Sequence, residues 1–125
     1  MISGIGVDSV QVDRFRGAAV RWGRQFLVRL FTAGELEYCL SHENPYPSLA
    51  ARFAAKEALL KALHVRGGWK WREMEVERAE SGKPSVVLTG GAAVFAESRG
   101  ARQFHVSLTH DRDRATAVVL ALGES

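Results

Sequence analysis

The chain has 125 residues, 46% apolar and 25% charged, with 17 basic against 14 acidic side chains and a formal net charge of +3. That length suits a single domain, 1–125, and that composition excludes a disordered chain. No apolar run approaches the roughly 20 residues that cross a bilayer, so no membrane association is expected, and the single cysteine, Cys39, cannot form an internal disulfide. With no signal peptide visible at the N-terminus, a reduced, cytoplasmic setting follows.

Ile2–Val7 is a short apolar run that reads as a buried strand, ending at Asp8 after Gly4 and Gly6. A carboxylate at a strand end suits a hard, oxygen-seeking cation such as Mg²⁺; alternatively it caps the helix that follows. Helical character runs from Val10 to Trp22, breaks at Gly23 and resumes through Phe26, Leu27 and Leu30. This segment holds the charge asymmetry. Residues 1–30 carry Arg14, Arg16, Arg21, Arg24 and Arg29 against Asp8 and Asp13, whereas the remaining twelve basic and twelve acidic side chains cancel. Such a patch either attracts an acidic partner or is simply a solvated helix face. No Lys/Arg run or binding motif points to nucleic acid.

Thr32-Ala33-Gly34-Glu35 matches a capping box, predicting a short helix through Leu40. Asn44-Pro45-Tyr46-Pro47 reads as a loop, after which Ser48 can cap a helix to about Leu63. At 100° per residue, Leu49, Phe53 and Leu60 form a narrow stripe on that helix. Arg52 and Lys56 flank it on one side, Glu57 and Lys61 on the other, and alanines fill the back. The charges are either a site bordering large apolar groups or a plain surface pair with snorkelling cations.

Gly67-Gly68 breaks the chain. Trp71 to Ala79 alternates as a half-exposed strand. Ser81-Gly82-Lys83-Pro84 is a turn, and Ser85–Leu88 a strand. Thr89 can cap a helix from Gly91 to Arg99, closed by Gly100. Gln103–His110 alternates, with Phe104, Val106 and Leu108 on one face and His105, Ser107 and Thr109 on the other. A turn at Asp111–Arg114 leads into a last strand, Ala115–Leu122. Helices mixed with consecutive strands predict an α+β domain with a mainly antiparallel sheet. Cys39 has no activating neighbour in sequence and is expected to pack.

Taken together, Gly4-Ile5-Gly6-Val7-Asp8, Arg24–Thr32 with Glu35–Cys39, Ser48–Ala58 with Lys61-Ala62, Gly82-Lys83-Pro84 and His105–His110 are similar in order and spacing to the bacterial holo-acyl-carrier-protein synthases, the small 4′-phosphopantetheinyl transferases. The likeness covers nearly the whole chain. Departures at Val7, Ser81 and Thr109 remove no functional group. The resemblance implies the 4′-phosphopantetheinyl transferase fold, with a long central helix packed on the antiparallel sheet. It also implies transfer of 4′-phosphopantetheine from coenzyme A to a serine of apo acyl carrier protein in fatty-acid biosynthesis, releasing adenosine 3′,5′-bisphosphate.

On that reading Asp8 and Glu57 hold Mg²⁺, Glu57 helps to deprotonate the serine, and Lys61 neutralises the leaving phosphate. Arg52, Lys56, Lys61, Gly82, Lys83, Pro84, His105 and Thr109 bind coenzyme A. Arg14, Arg21 and Arg24 meet the acidic carrier, with Phe15 or Trp22 packing nearby, and the enzyme is a homotrimer. Two other readings remain: the same transfer to a polyketide or peptide synthase carrier, or a non-catalytic basic adaptor for an acidic protein.

Overall fold

A computed structural model describes residues 1–65 and 70–123, so the break expected at Gly67-Gly68 lies outside the described residues. Strand β1 (Ile2–Gln11) leads into helices α1 (Val12–Trp22), α2 (Arg24–Leu30), α3 (Ala33–Leu40) and α4 (Tyr46–Ala62). A 3₁₀ turn (Trp71–Glu73) opens the ribbon β2 (Met74–Arg78) and β3 (Pro84–Leu88), followed by α5 (Gly90–Ser98), β4 (Gln103–His110) and β5 (Arg114–Leu122). The sheets are antiparallel, a three-stranded one in the order β1-β5-β4 and the two-stranded β2-β3. The expected α+β class is observed.

Helix α4 crosses the inner face of the three-stranded sheet, and glycine and alanine let it lie close. A Cβ added to Gly6 would meet the Ala58 carbonyl oxygen at 1.8 Å, and one added to Gly4 would meet that of Ala62 at 2.0 Å. The facing residues of β5 are correspondingly small: Ala115, Ala117, Val119 and Ala121, all buried. Leu59, Leu60, Met74 and Val76 fill the space between α4 and the ribbon. On the other side of α4, Phe15 packs against Phe26, Phe31 and Phe53 with ring centroids 5.7–6.0 Å apart, tying α1, α2 and α4 into a second core.

Several boundaries differ from expectation. Strand β1 runs past Val7 to Gln11 because β5 continues to pair with it as far as Gln11↔Arg114, so Asp8 lies within the strand, opposite Ala117. Helix α4 begins at Tyr46, with Pro47 in its first turn, where a missing N–H costs nothing. Ser48 is therefore buried inside the helix and is not its cap. The alternation from Trp71 holds only from Met74, since Trp71–Glu73 coil into the 3₁₀ turn. Glu73, not Thr89, serves the start of α5: its Oε1 accepts from the Ala92 amide at 3.0 Å, and the Thr89 side chain makes no cap bond. The capping box at Thr32 and Glu35 and the break at Gly23 (φ 73°) are present as expected.

Candidate active site

Where β1 meets the C-terminal half of α4, three charged side chains converge. Lys61 Nζ donates to Asp8 Oδ1 and to the Val7 carbonyl, each at 3.0 Å. The Asp8 side chain is 18% exposed and that of Lys61 55%, so the pair sits at the mouth of the β1–α4 junction. Glu57 stands one helical turn before Lys61 on the same face. Burial pushes its carboxyl above the ordinary range, the Asp8 charge adds to this, and Lys61 opposes it. Two carboxylates that repel one another, partly withdrawn from water, suit a divalent cation. Among the described residues no group of three or more His, Cys, Asp or Glu could hold a metal. Mg²⁺ needs no such cage, because it keeps waters and takes phosphate oxygens alongside one or two carboxylates.

The second half of the expected site lies elsewhere. Arg52 is 2% exposed; its Nη1 donates to the Ser48 hydroxyl at 3.2 Å, while its Nε has no partner among the described residues. The guanidinium lies 4.4 Å from the centre of the Tyr38 ring. It borders a cavity of about 410 Å³ between the edge of β4 and the β2–β3 turn, and Gly82, Pro84 and Thr109 line the same cavity. Lys83 is exposed on that turn, and His105 is exposed on the outer face of β4 with Ser107 and Thr109. Arg52 and Lys61 are nine residues apart, two and a half helical turns, and so leave α4 on opposite sides. One chain does not bring Asp8, Glu57 and Lys61 together with Arg52, Gly82 and Pro84.

Lys56, expected to bind phosphate, is instead in the core. It is 1% exposed, and its Nζ donates to Glu35 Oε1 at 2.6 Å, to the Leu30 carbonyl at 2.8 Å and to the Trp71 carbonyl at 3.2 Å. Burial lowers its pKa and Glu35 opposes that shift. All three ammonium hydrogens are engaged, so none faces solvent. The same carboxylate accepts from the Val76 and Thr32 amides. Glu35 and Tyr38 were missed as site-forming residues. The capping box accounted for Glu35 fully in sequence, and nothing local marks an aromatic ring that supports an arginine fourteen residues on.

Arg14, Arg21 and Arg24 are exposed, as a docking face requires. Trp22, with the Arg21 guanidinium 5.0 Å from its ring, is exposed beside them, whereas Phe15 belongs to the core. A cavity of about 1040 Å³ lies on this side, lined by Arg24, Arg29, Lys70 and Arg72 together with Glu73. Cys39 is fully buried, with its thiol pKa raised by that burial.

Comparison with known proteins gives this arrangement a context. A family described as the 4′-phosphopantetheinyl transferase superfamily matches residues 4–119. A holo-[acyl-carrier-protein] synthase of Desulforudis audaxviator is 46% identical over 126 residues, covering 100% of this chain and 96% of the other. The crystal structure of a holo-[acyl-carrier-protein] synthase from Neisseria meningitidis superposes with a TM-score of 0.89 at 31% identity, covering 98% and 99% of the two chains. That of the Helicobacter pylori enzyme, in complex with coenzyme A, gives 0.83 at 27% identity over 94% and 99%.

Proposed function

The chain belongs to the 4′-phosphopantetheinyl transferase superfamily, and on that premise we propose that it transfers 4′-phosphopantetheine from coenzyme A to a serine of apo acyl carrier protein, in cytoplasmic fatty-acid biosynthesis. The observation that carries the reading is the convergence of Asp8, Glu57 and Lys61 at the β1–α4 junction. The serine oxygen forms a bond to the phosphorus that bears pantetheine. The bond from that phosphorus to the bridging oxygen breaks, and adenosine 3′,5′-bisphosphate leaves.

Glu57, held above the ordinary carboxylate pKa, takes up the serine proton. Lys61 places a positive charge where the leaving phosphate gains negative charge. Asp8 holds the Lys61 ammonium in place, and Asp8 with Glu57 would hold Mg²⁺. When bound, the ion supplies charge neutralisation to the pyrophosphate oxygens. Arg14, Arg21 and Arg24 present positive charge to the acidic carrier, which speeds encounter and fixes its orientation.

A second copy of the chain completes the site. The outer face of the three-stranded sheet is apolar and uncovered: Ile5 is 63% exposed and Val7 55%, paired across to Leu120 and Val118. Next to these stand His105 and Ser107 of β4. Burying that face between copies stabilises a small subunit, and it supplies the Arg52, Lys83, His105 and Thr109 side of one chain to the Asp8, Glu57 and Lys61 side of another. Unlike halves that meet head to tail close into a ring, here a homotrimer.

The test is the intact mass of an apo acyl carrier protein incubated with the protein, coenzyme A and Mg²⁺. A gain of one phosphopantetheine, abolished by EDTA, is expected. No gain from folded protein with any of several carriers would overturn the reading.

A further inference from the structure

We propose that Lys56, through its hold on the Leu30 and Trp71 carbonyls, is a positioning residue for carrier docking: it sets the spacing of two basic walls between which the acidic carrier lies. On the transferase reading above, on which this rests, a buried side chain that the chemistry leaves unused thus governs affinity for the carrier.

The cavity of about 1040 Å³ has two walls. Helix α2 presents Arg24 and Arg29, and the segment opposite presents Lys70, Trp71, Arg72 and Glu73. Lys56 joins them from the buried side. Its Nζ donates at 2.8 Å to the carbonyl of Leu30, the last residue of α2. It donates at 3.2 Å to the carbonyl of Trp71, the first residue of the 3₁₀ turn. A helix leaves its last carbonyls without intrahelical partners, and its dipole favours a cation there. The third hydrogen goes to Glu35 Oε1 at 2.6 Å, and Glu35 Oε2 accepts from the Val76 amide of β2 at 2.8 Å. Among the described residues no hydrogen bond runs directly from α2 to the turn, so the ammonium is the polar tie between them.

The walls carry like charge. Arg24, Arg29, Lys70 and Arg72 are exposed, and none has a carboxylate within ion-pair distance among the described residues. The acid in the lining, Glu73, is engaged by α5, its Oε1 accepting from the Ala92 amide at 3.0 Å. Four unpaired cations repel one another across the opening, which favours a wider cavity. A fixed spacing therefore has to come from beneath. Helix α4 supplies it twice, by the Lys56 tie and by Phe53, whose ring centroid lies 5.4 Å from that of Trp71.

An acidic protein surface fits such a cavity, and Arg24 belongs both to it and to the face already assigned to the carrier. Carboxylates presented at fixed spacing gain from cations held at a matching spacing, and lose affinity when those cations must be ordered on binding. The effect is confined to docking. Lys56 and Glu57 are adjacent on α4 but about 100° apart round its axis, so they face different neighbours. The seat of α4 on the sheet is set by Gly4 and Gly6 against the Ala62 and Ala58 carbonyls. Loss of the tie loosens the walls without moving Asp8, Glu57 and Lys61.

The experiment compares the wild type, Glu35→Gln and the double variant Glu35→Gln, Lys56→Met. Glu35→Gln removes the ion pair and keeps both carbonyl bonds, because an amine donates with or without its extra proton. The double variant removes the tie without stranding a buried charge. In the double variant KM for apo carrier should rise about tenfold, as should its Kd by fluorescence anisotropy without coenzyme A, the size of ordering one or two side chains on binding. Its kcat and its KM for coenzyme A should stay within about twofold of the wild type. Glu35→Gln should stay within about twofold in all of these. The salt dependence of carrier binding should keep its slope in the double variant, which retains every surface charge, whereas Arg29→Ala should flatten it.

Equal rises in both variants would trace the effect to the ion pair instead of the tie, and an unchanged carrier KM in the double variant would show that the walls hold without it. Either result overturns the proposal, as does a rise in KM for coenzyme A alone. Hydrogen–deuterium exchange on the wild type depends on no variant's folding. Apo carrier should slow exchange over residues 24–30 and 70–73, and protection confined to α1 would overturn docking between these walls. All of these outcomes leave the transferase reading standing. A wild type that neither binds nor modifies any carrier would overturn that reading, and the role of Lys56 with it.

Discussion

Arg52 and Lys61 leave helix α4 on opposite sides, about 13–14 Å apart along its axis at the standard helical rise. Each has its own surroundings, Arg52 with Tyr38 and the β4-edge cavity, Lys61 with Asp8 on β1. If a working site takes Lys61 from one copy and Arg52 from the next, two inactive variants should rescue each other. Lys61→Ala and Arg52→Ala are each expected to lose activity by about a hundredfold or more, the scale of losing a charge aimed at the reacting phosphate. Unfolded and refolded together in equal amounts, they should recover about a quarter of wild-type activity, because random assortment in a ring leaves that share of interfaces with both halves intact. The check is the transfer rate of the mixture against the separate variants. A mixture no more active than its parts would place the whole site within one chain.

Glu57 yields a pH dependence whose sign follows from its environment. Burial and the Asp8 charge raise its pKa in the folded protein above the ordinary value of 4.5. Below that value the folded and unfolded chains are both protonated, and Glu57 contributes nothing against folding. As pH rises through the raised folded value, the native state gives up a proton that the unfolded chain has already lost. The stability advantage of the protonated form then disappears. In EDTA the thermal midpoint of the wild type should therefore fall, relative to that of Glu57→Gln, as pH rises from about 4.5 toward neutrality. Mg²⁺ should restore the wild-type midpoint at neutral pH and leave the variant's unchanged. Parallel curves for the two proteins would remove the electrostatic account of the Asp8–Glu57 pair.

Gly6 fixes how closely β1 and α4 approach. A methyl group there would stand 1.8 Å from the Ala58 carbonyl oxygen, and that neighbour is helix backbone, which cannot rotate away. Gly6→Ala is expected to destabilise the fold by about 3 kcal/mol, at the upper end for an overpacked position. The thermal midpoint should drop by about 10 °C. Because the strand must shift to relieve the clash, Asp8, two residues on, moves away from Lys61, and kcat should fall even well below the melting point. Gly17→Ala makes the control, since a Cβ there meets nothing within 4 Å. Differential scanning calorimetry and steady-state rates on both variants check the two halves of this prediction.

These examples mark what was legible in the amino-acid sequence. The α+β class, the helix break at Gly23, the Thr32 capping box and the alternation of β4 follow local rules that the structure obeys. Glu57 and Lys61 were legible as neighbours because helical spacing puts them on one face. Their meeting with Asp8 is a long-range event, 53 residues apart in the case of Lys61. What failed was burial. On a helix with alanine behind and large apolar groups in front, Arg52 and Lys56 read as flanking surface cations. Yet α4 is covered on almost every side, by the sheet, the ribbon and α1–α3, so both charges are enclosed. Only the tertiary arrangement tells which cation meets a carboxylate, Lys56 with Glu35, and which is left with an open donor, Arg52. Strand and helix ends erred for a similar reason: β5 extends β1, and Glu73 reaches over to α5, from positions no local pattern links.

The Glu35–Lys56 pair provides the last prediction, because it separates a structural role for Lys56 from the phosphate-binding role that the motif suggested. Both groups are almost completely enclosed, and removing one partner strands the other's charge. Lys56→Met should therefore cost about 3–5 kcal/mol, the usual penalty for breaking a buried pair. Glu35→Gln should cost less, since burial already lowers the pKa of Lys56 and the amine can lose its proton. The double variant Glu35→Gln, Lys56→Met removes both charges and keeps a carbonyl oxygen for the Val76 amide. It should regain a large part of the stability lost in Lys56→Met, as measured by urea unfolding. Its KM for coenzyme A decides the role. A value within about twofold of wild type is expected of a side chain whose three donors all point into the core, whereas a rise of about tenfold in a stably folded double variant would return Lys56 to the phosphate site.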